Sequence, residues 1–420
     1  MAQSTVNRDG PPTPEPPSPR RKPKHRAKHR RLYRRRRPTA VILLALSVAV
    51  VWLAFSLGGA LLNPALGSSL GARLAEWARS HGAASVVNWA ENQWYSHHPP
   101  PVGGTPPAGA IRAPSSSSSN LTSSVAHLAT PQPIVPFASP PIAGEGQWSP
   151  VGRRVDGVAA IYETTLRPDA VHTSYVVGVA WMDTKLLHAS LYSGSWIPGG
   201  GPYPLTAPIR NSAARTLVAA FNAGFLMSNA NGGYYTAGRT EKRLRKGAAS
   251  FVVYRNGSSN IVAWGGVPIT HQIVSVRQNL DLLVNHGRVV PGLNAQDTSQ
   301  WGLTLGNAVY VWRSGLGITS NGALVYVGGP GLNITDLANL LVRAGAVRAM
   351  ELDINTDWVN FSSYRPSTTS GLATASNGTE LLAAMTGSPA RYFESWWARD
   401  FIAMSSIVGP KTANGLASPG

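Results

Sequence analysis

Residues 40 to 62 carry no charged side chain and only Ser47 and Ser56 as polar ones, and this stretch decides how everything else can be placed. A helix of these 23 residues rises ~35 Å at ~1.5 Å per residue, enough to cross the ~30 Å hydrocarbon layer of a bilayer. One transmembrane helix is therefore expected over residues 39 to 63. A cleaved secretion signal would carry a shorter apolar region, about 7 to 15 residues, ahead of a small-residue cleavage site.

The chain before this stretch is densely basic. Residues 1 to 37 hold 13 Lys and Arg against Asp9 and Glu15, leaving 24 against 17 in the rest of a chain whose formal charge is +18. Dense positive charge resists translocation, and Arg34, Arg35, Arg36 and Arg37 stand at the membrane edge. The expected location is the cell membrane, single pass, with the N-terminus cytoplasmic and the C-terminal domain outside. The tail over residues 1 to 38, with its PPTPEPPSP run, lacks the apolar area to fold and reads as disordered. Anionic lipid is a partner open to it, at ~1 kcal/mol per basic residue. Nucleic acid is not an expected partner, since topology already accounts for the charge; were it bound, binding would be salt-sensitive and lost with residues 1 to 37.

Cysteine is absent, which excludes a disulfide framework, a thiolate nucleophile and a zinc-thiolate site. An exported fold must then be held by its core. Beyond the apolar stretch, Leu74, Trp77, Ala78, Val86, Val87 and Trp89 recur at loose helical spacing, so residues 64 to 96 read as a membrane-proximal helical segment. Residues 97 to 147 are rich in Pro and Ser and read as a tether. A domain is expected over 148 to 405 and a flexible tail over 406 to 420. Within the domain, short apolar runs near residues 175–182, 216–225, 250–257, 303–312, 323–329 and 347–353 are punctuated by Gly, Asn and Pro, as strands are. One helix is expected from Thr335 as N-cap to Gly345 at its end. The fold class is thus mixed α+β: a strand-rich mixed sheet with few helices.

Three segments carry side chains suited to chemistry. In 347-VRAMELDINTD-357, a regular strand puts Glu351, Asp353, Asn355 and Asp357 on one face, with Glu351 and Asp353 ~6.6 Å apart. Two carboxyls at that range suit acid–base work, because one holds its proton while the other ionises; a solvated strand face gives the same pattern. In 221-FNAGF-225, Asn222 and Gly224 stand where a buried strand gives way to a turn, and 232-GGYYTAGR-239 follows with Gly233 and Tyr234, a composition suited to a sugar ring or to an ordinary packed loop. Arg313 is placed after a strand and beside a glycine, where a guanidinium can meet a phosphate with two hydrogen bonds.

In order, these segments resemble the phosphodiester glycosidase family. Its N-G-G-F-F is similar to Asn222-Ala223-Gly224-Phe225 followed by GGYYTAGR; its L-V-x-x-G to 277-RQNLDLLVNHG-287; its R-T-A-x-G to 313-RSGLGITSNGALVYVGG-329. Its L-D-G-G-G-S looks like Leu352-Asp353 with Ile354, Asn355 and Thr356 in place of the glycines. The resemblance spans residues 150 to 405 and implies a hydrolase of a glycosyl phosphodiester in a cell-envelope or extracellular glycan such as an exopolysaccharide. It implies Asp353 as the carboxylate acting at the anomeric carbon, Glu351 as the second carboxylate and Arg313 as the cation facing the leaving phosphate. Asn222, Gly224, Gly233, Tyr234 and Asn355 would bind substrate, a sugar phosphate or polysaccharide. The alternative is a non-catalytic protein that binds or assembles envelope polysaccharide. No cofactor is required; a divalent cation near Glu351, Asp353 and Asp357 is left open, since their spacing matches no defined metal loop.

Overall fold

The computed structural model describes residues 25–63, 66, 70–83, 86, 101–114, 125–266, 268–295, 300–302, 309–367, 371–385 and 389–408. The chain divides into two units, residues 1–59 and 60–420. Helix α1 (His25–Leu62) takes in the whole apolar stretch. Over Ala40–Leu62 its mean hydropathy is 2.7 and none of it is buried within the protein, so it is long and apolar enough to span a membrane or to act as a signal sequence. It starts inside the basic run read as disordered. Arg and Lys are good helix formers, and a helix already nucleated by its apolar part propagates at little cost. Helix α2 (Leu70–Ala78) falls where the loose helical spacing was seen; Val87 and Trp89 lie outside the described residues, as do 409–420 of the expected flexible tail.

Eighteen strands follow among the described residues: β1 (Ser149–Val155), β2 (Val158–Leu166), β3 (Val177–Met182), β4 (Leu187–Tyr192), β5 (Leu217–Asn222), β6 (Tyr234–Thr236), β7 (Arg239–Lys242), β8 (Ala249–Tyr254), β9 (Ser259–Ala263), β10 (Ile273–Gln278), β11 (Leu282–Asn285), β12 (Arg288–Val289), β13 (Val311–Thr319), β14 (Leu324–Leu332), β15 (Ala346–Ile354), β16 (Phe361–Tyr364), β17 (Gly378–Glu380) and β18 (Phe401–Ser406). They build an eight-stranded sheet in the order β1-β2-β3-β14-β13-β15-β11-β12 and two five-stranded sheets, β17-β16-β5-β18-β4 and β7-β6-β10-β8-β9. The strand-rich α+β class read from the sequence is what the chain adopts. The pairings that frame the centre, β13 with β14, β13 with β15, β16 with β5 and β18 with β5, are antiparallel.

One apolar core lies between the large sheet and the other two, joining Leu316, Tyr326, Met350 and Leu352 to Phe221, Phe361 and Met404 and to Phe251. A second lies under helix α3 (Ile334–Arg343), whose Leu337, Leu340 and Leu341 pack on Ala349 and Ile354. The helix is capped by Asn333, whose side chain accepts from the Asp336 N–H at 2.9 Å, and not by Thr335, which sits one residue inside. Asn and Thr are both good caps, and Asn333 is the one with extended backbone. Arg313, expected just past the end of a strand, lies inside β13. A Cβ at Gly315 would stand 2.9 Å from Leu341, and one at Gly317 2.6 Å from the Ala346 Cβ. These glycines let the helix and the neighbouring strand close on β13, a use of glycine inside strands that looks like a breaker in sequence.

The described parts of the stretch expected to be a tether, 101–114 and 125–147, pack onto the domain. Ile134 and Ala138 are buried, Ile134 N–H donates to Gly146 and Gly146 N–H to Thr165. Arg167 donates to Glu145 at 2.8 Å and to the carbonyls of Ala138 and Pro140. Arg112 reaches Glu163 at 3.2 Å and the Leu381 carbonyl at 2.8 Å. Irregular chain can be buried once its polar groups find partners, and here arginines supply them. Burial pushes the Glu145 carboxyl up, but the Arg167 bond and the Ile142 and Arg167 N–H groups outweigh it and hold the pKa below its ordinary value. Its contribution is therefore present above the ordinary glutamate value and is lost as pH falls through the lowered one. Glu145→Ala, which leaves Arg167 without its carboxylate, is expected to cost about 3–5 kcal/mol at neutral pH in urea denaturation of the full chain in detergent, with the difference narrowing in acid.

Candidate functional site

Strand β5 runs buried on both faces until Asn222, and there the core turns polar. The Asn222 Nδ2 donates to Ser314 Oγ of β13 at 2.9 Å, and its Oδ1 accepts from Tyr326 Oη of β14 at 2.9 Å and from the Asn360 N–H at 3.2 Å. Ser314 Oγ in turn accepts the Asp353 N–H at 3.2 Å and donates to the Asp353 carbonyl at 3.0 Å. Two of the residues singled out in the sequence, Asn222 and Asp353, thus meet through a serine that was not. Since both acceptor positions of its carbonyl are taken, Asn222 positions the strands around it.

Arg313 faces away from this cluster. Its guanidinium donates to Glu351 Oε1 at 2.6 Å, to the Leu332 carbonyl at 3.1 Å and to the Trp301 carbonyl at 2.9 Å, with both ion-pair partners buried. A bulge explains the separation. In the pairing of β13 with β15, Arg313 stands opposite Ile354 but Gly315 opposite Glu351, so three steps of β15 match two of β13. The extra residue flips the face: Met350 and Leu352 point into the core between the sheets, and Ile354 joins Ala349 in the core under α3. Glu351 and Asp353 therefore do not share a face as regular alternation requires, and neither is among the charges that act on the other.

Around Asp353 the charges form a buried set. Its Oδ1 accepts the Ile354 N–H at 2.9 Å, and its Oδ2 lies 3.5 Å from Arg399 Nη1. Beside them Arg277 Nε donates to Asp400 Oδ2 at 2.6 Å. Burial pushes the Asp353 carboxyl up to about 7, Arg399, the Ile354 N–H and Arg277 pull it down less strongly, and Asp400 adds to the rise. Glu351 is likewise pushed up to about 7 by burial, against the pull of Arg313. Glu351 Oε2 is buried with no hydrogen-bond partner among the described residues. Both raised values have one sign: the stabilising contribution is complete below the ordinary carboxyl range, ~4, and is lost as pH rises through about 7.

The remaining sequence choices are placed as follows. Gly224 lies against the Arg277 guanidinium, where a Cβ would stand 3.1 Å from its central carbon. Gly233 packs on the Arg243 carbonyl and donates to Gln278 Oε1 at 2.8 Å. Tyr234 is buried, its hydroxyl 3.0 Å from Ser193 Oγ, and its pKa is pushed up by burial with Asp400 adding to the rise. Asn355 adopts φ +86°, a conformation open to Gly and tolerated by Asn, and its side chain accepts the Asp357 N–H at 3.0 Å. Among the described residues no group of three His, Asp or Glu is arranged to hold a metal ion. A cavity of about 300 Å³ lies elsewhere, lined by Asp281, Asn285, Pro291, Gln300 and Trp301 among others, and none of the polar cluster faces it.

Sequence reasoning missed Ser314, Tyr326, Arg277, Arg399 and Asp400. The last two offered a signal: an Arg-Asp pair at the end of the aromatic run 393-FESWWARD-400 in a chain only 13% charged. Charges set among tryptophans at the start of a strand seldom stay solvated.

Residues 215–353 match the family model described as phosphodiester glycosidase, which bears out the resemblance seen in the sequence; the match takes in β5, β13 and β15 and ends on Asp353. Among solved structures, the zebrafish N-acetylglucosamine-1-phosphodiester alpha-N-acetylglucosaminidase catalytic domain, auto-inhibited by its pro-peptide, aligns at 12% identity over 60% of this chain and 86% of that one, with a TM-score of 0.35. A hypothetical protein from Synechocystis aligns at 13% identity over 61% and 64%, TM-score 0.34. A putative exported protein from Burkholderia pseudomallei K96243 aligns at 12% identity over 57% and 75%, TM-score 0.26. No curated protein matches the chain.

Removing Arg313 leaves Glu351 buried without its cation. Arg313→Ala is expected to cost about 3–5 kcal/mol of stability, read by urea denaturation of the full chain. Unchanged stability with weakened substrate binding would instead return Arg313 to a phosphate-binding role.

Proposed function

We propose that the chain is a membrane-anchored hydrolase of glycosyl phosphodiesters, with Asp353 as the carboxylate that acts at the anomeric carbon. The observation that carries this reading is the convergence of Asn222 and Asp353 on Ser314, beside Arg399, in a segment matching a phosphodiester glycosidase model. α1 supplies the membrane span, and the basic run before it keeps the N-terminus cytoplasmic and the sheet domain outside.

The chemistry sets what each group does. The bond between the anomeric carbon and the phosphate oxygen breaks with positive character on the sugar, while water adds to that carbon and gives up a proton to Asp353. The phosphate leaves as a monoester, already a stable anion, so it needs a cation more than a proton. Arg399 takes the cationic role that the sequence suggested for Arg313, because it lies 3.5 Å from the Asp353 carboxyl, whereas Arg313 is bound to Glu351 on the opposite face. Glu351 serves the fold of β15 in this scheme, and Asn222 holds β5 against β13. Substrates of this class occur as sugar-phosphate linkages in envelope and extracellular glycans.

A second reading has one observation in its favour. Asp353 is 3% exposed, a closure that suits a protein which binds envelope polysaccharide without cleaving it. For hydrolysis, the chain covering Asp353 must shift to admit substrate.

The test is release of free sugar from methyl phosphodiesters of hexose 1-phosphates by the full chain in detergent. Asp353→Asn is expected to lower kcat about 100-fold or more with stability kept. The wild-type rate should rise with pH through about 7, because the reacting form is the carboxylate; Arg399→Lys should raise KM. Full activity in Asp353→Asn would overturn Asp353 as the acting carboxylate, and binding of glycan with no turnover by the wild type would remove the hydrolase reading.

A further inference from the structure

Two large indoles stand in solvent beside the charged cluster. Trp396 is 56% exposed and Trp196 48% exposed, and the loops that bear them are laced together: Ser195 N–H donates to the Trp397 carbonyl at 2.9 Å and Trp196 N–H to the Ala398 carbonyl at 3.1 Å. Gly194 permits the approach, since a Cβ there would fall 2.3 Å from the Ala398 oxygen. The exposed ring of Trp396 is held from below. Its edge meets Trp397 at a centroid distance of 6.1 Å, and Trp397 lies 5.8 Å from Trp358 and under the Arg391 guanidinium at 4.5 Å. Such a stack fixes an apolar surface in place without hiding it.

One further observation gives this surface a direction. Arg399, three residues beyond Trp396, lies over Trp358 at 4.1 Å and reaches Asp353, so the aromatic stack is continuous with the carboxylate. A pyranose ring offers a C–H face to lie on an exposed indole. A bilayer surface is the other partner that exposed tryptophans suit. It does not explain the link to Asp353.

We infer that Trp396, flanked by Trp196 and backed by Trp397, forms a sugar-binding subsite for a second ring of the glycan chain, next to the ring whose phosphodiester Asp353 acts on. The inference deepens the hydrolase reading and names its substrate class as an oligomeric or polymeric glycan. A glycan chain bound there is held beside the charged cluster by stacking, and this binding does not depend on any bond being broken.

The experiment reads binding and turnover separately. Oligomers of N-acetylglucosamine and, in parallel, of glucose are titrated into the full chain in detergent, with tryptophan fluorescence and calorimetry as readouts. The wild type should bind at least one of them. Trp396→Ala should weaken that binding about tenfold, equivalent to ~1.4 kcal/mol, while Trp396→Phe, which keeps a ring, should stay within about threefold of wild type. Asp353→Asn should bind as the wild type does. Binding of neither oligomer by the wild type, or equal binding by wild type and Trp396→Ala, would overturn the subsite. Failure of the wild type to cleave sugar-1-phosphodiesters while these binding results hold would remove the hydrolase reading and leave the subsite standing.

Discussion

The Ser314 hydroxyl uses its one proton and two lone pairs to join strands that lie far apart in sequence. It accepts from Asn222 in one sheet, and both donates to and accepts from the backbone of Asp353 in another. Tyr326 completes the bridge by donating to Asn222. Two sheets that otherwise meet through apolar side chains, Phe221, Phe361, Leu352 and Met350 among them, are thereby fixed in register as well as held together. Apolar packing is tolerant of small slips, whereas a hydrogen-bonded bridge with every position filled is not. The carboxylate of Asp353 takes its place from this bridge.

The bulge in β15 follows from the same contact and sorts the charges. Because Asp353 turns toward Ser314, Glu351 and Ile354 are left on the face that α3 covers, and Arg313 goes with them. The buried ionic groups nearest β15 are thus divided between two layers. In one, Glu351 and Arg313 close on each other. In the other, Asp353, Arg399, Arg277 and Asp400 form a set in which one pair is tight, 2.6 Å, and the other loose, 3.5 Å. The tight pair pins β10 to the start of β18; the loose pair does not offset the burial of the Asp353 carboxyl, which raises its pKa, the condition a carboxyl needs to exchange protons near neutral pH.

Much of this architecture could be read from the chain. β3, β5, β8, β14 and β15 were marked by buried apolar runs, and α3 by its leucine face and by Gly345, which takes φ +93° at its end. The exceptions share a cause. β13 hides behind Gly315 and Gly317, whose lack of side chain makes sense only once α3 and β15 are seen pressing on them. The packed stretch around Ile134 and Glu145 has no periodicity because its backbone partners are arginines distant in sequence. A bulge is a property of two strands together, so no alternation within 347-VRAMELDINTD-357 could announce it, and the expectation that Glu351 and Asp353 stand side by side fails for that reason alone. Arg277 and Asp400 are 123 residues apart, beyond any local pattern.

The central claim is that the sugar phosphate meets the protein at Asp353 and Arg399, on the Ser314 side of the bulge. A crystal structure of the full chain with a non-hydrolysable phosphonate analogue of a hexose 1-phosphodiester tests it most directly. The account expects the phosphonate oxygens within hydrogen-bond distance of Arg399 and the anomeric carbon beside the Asp353 carboxyl, with the Arg313–Glu351 pair undisturbed. A phosphonate bound to Arg313, or in the cavity beside Asp281 and Trp301, would contradict it.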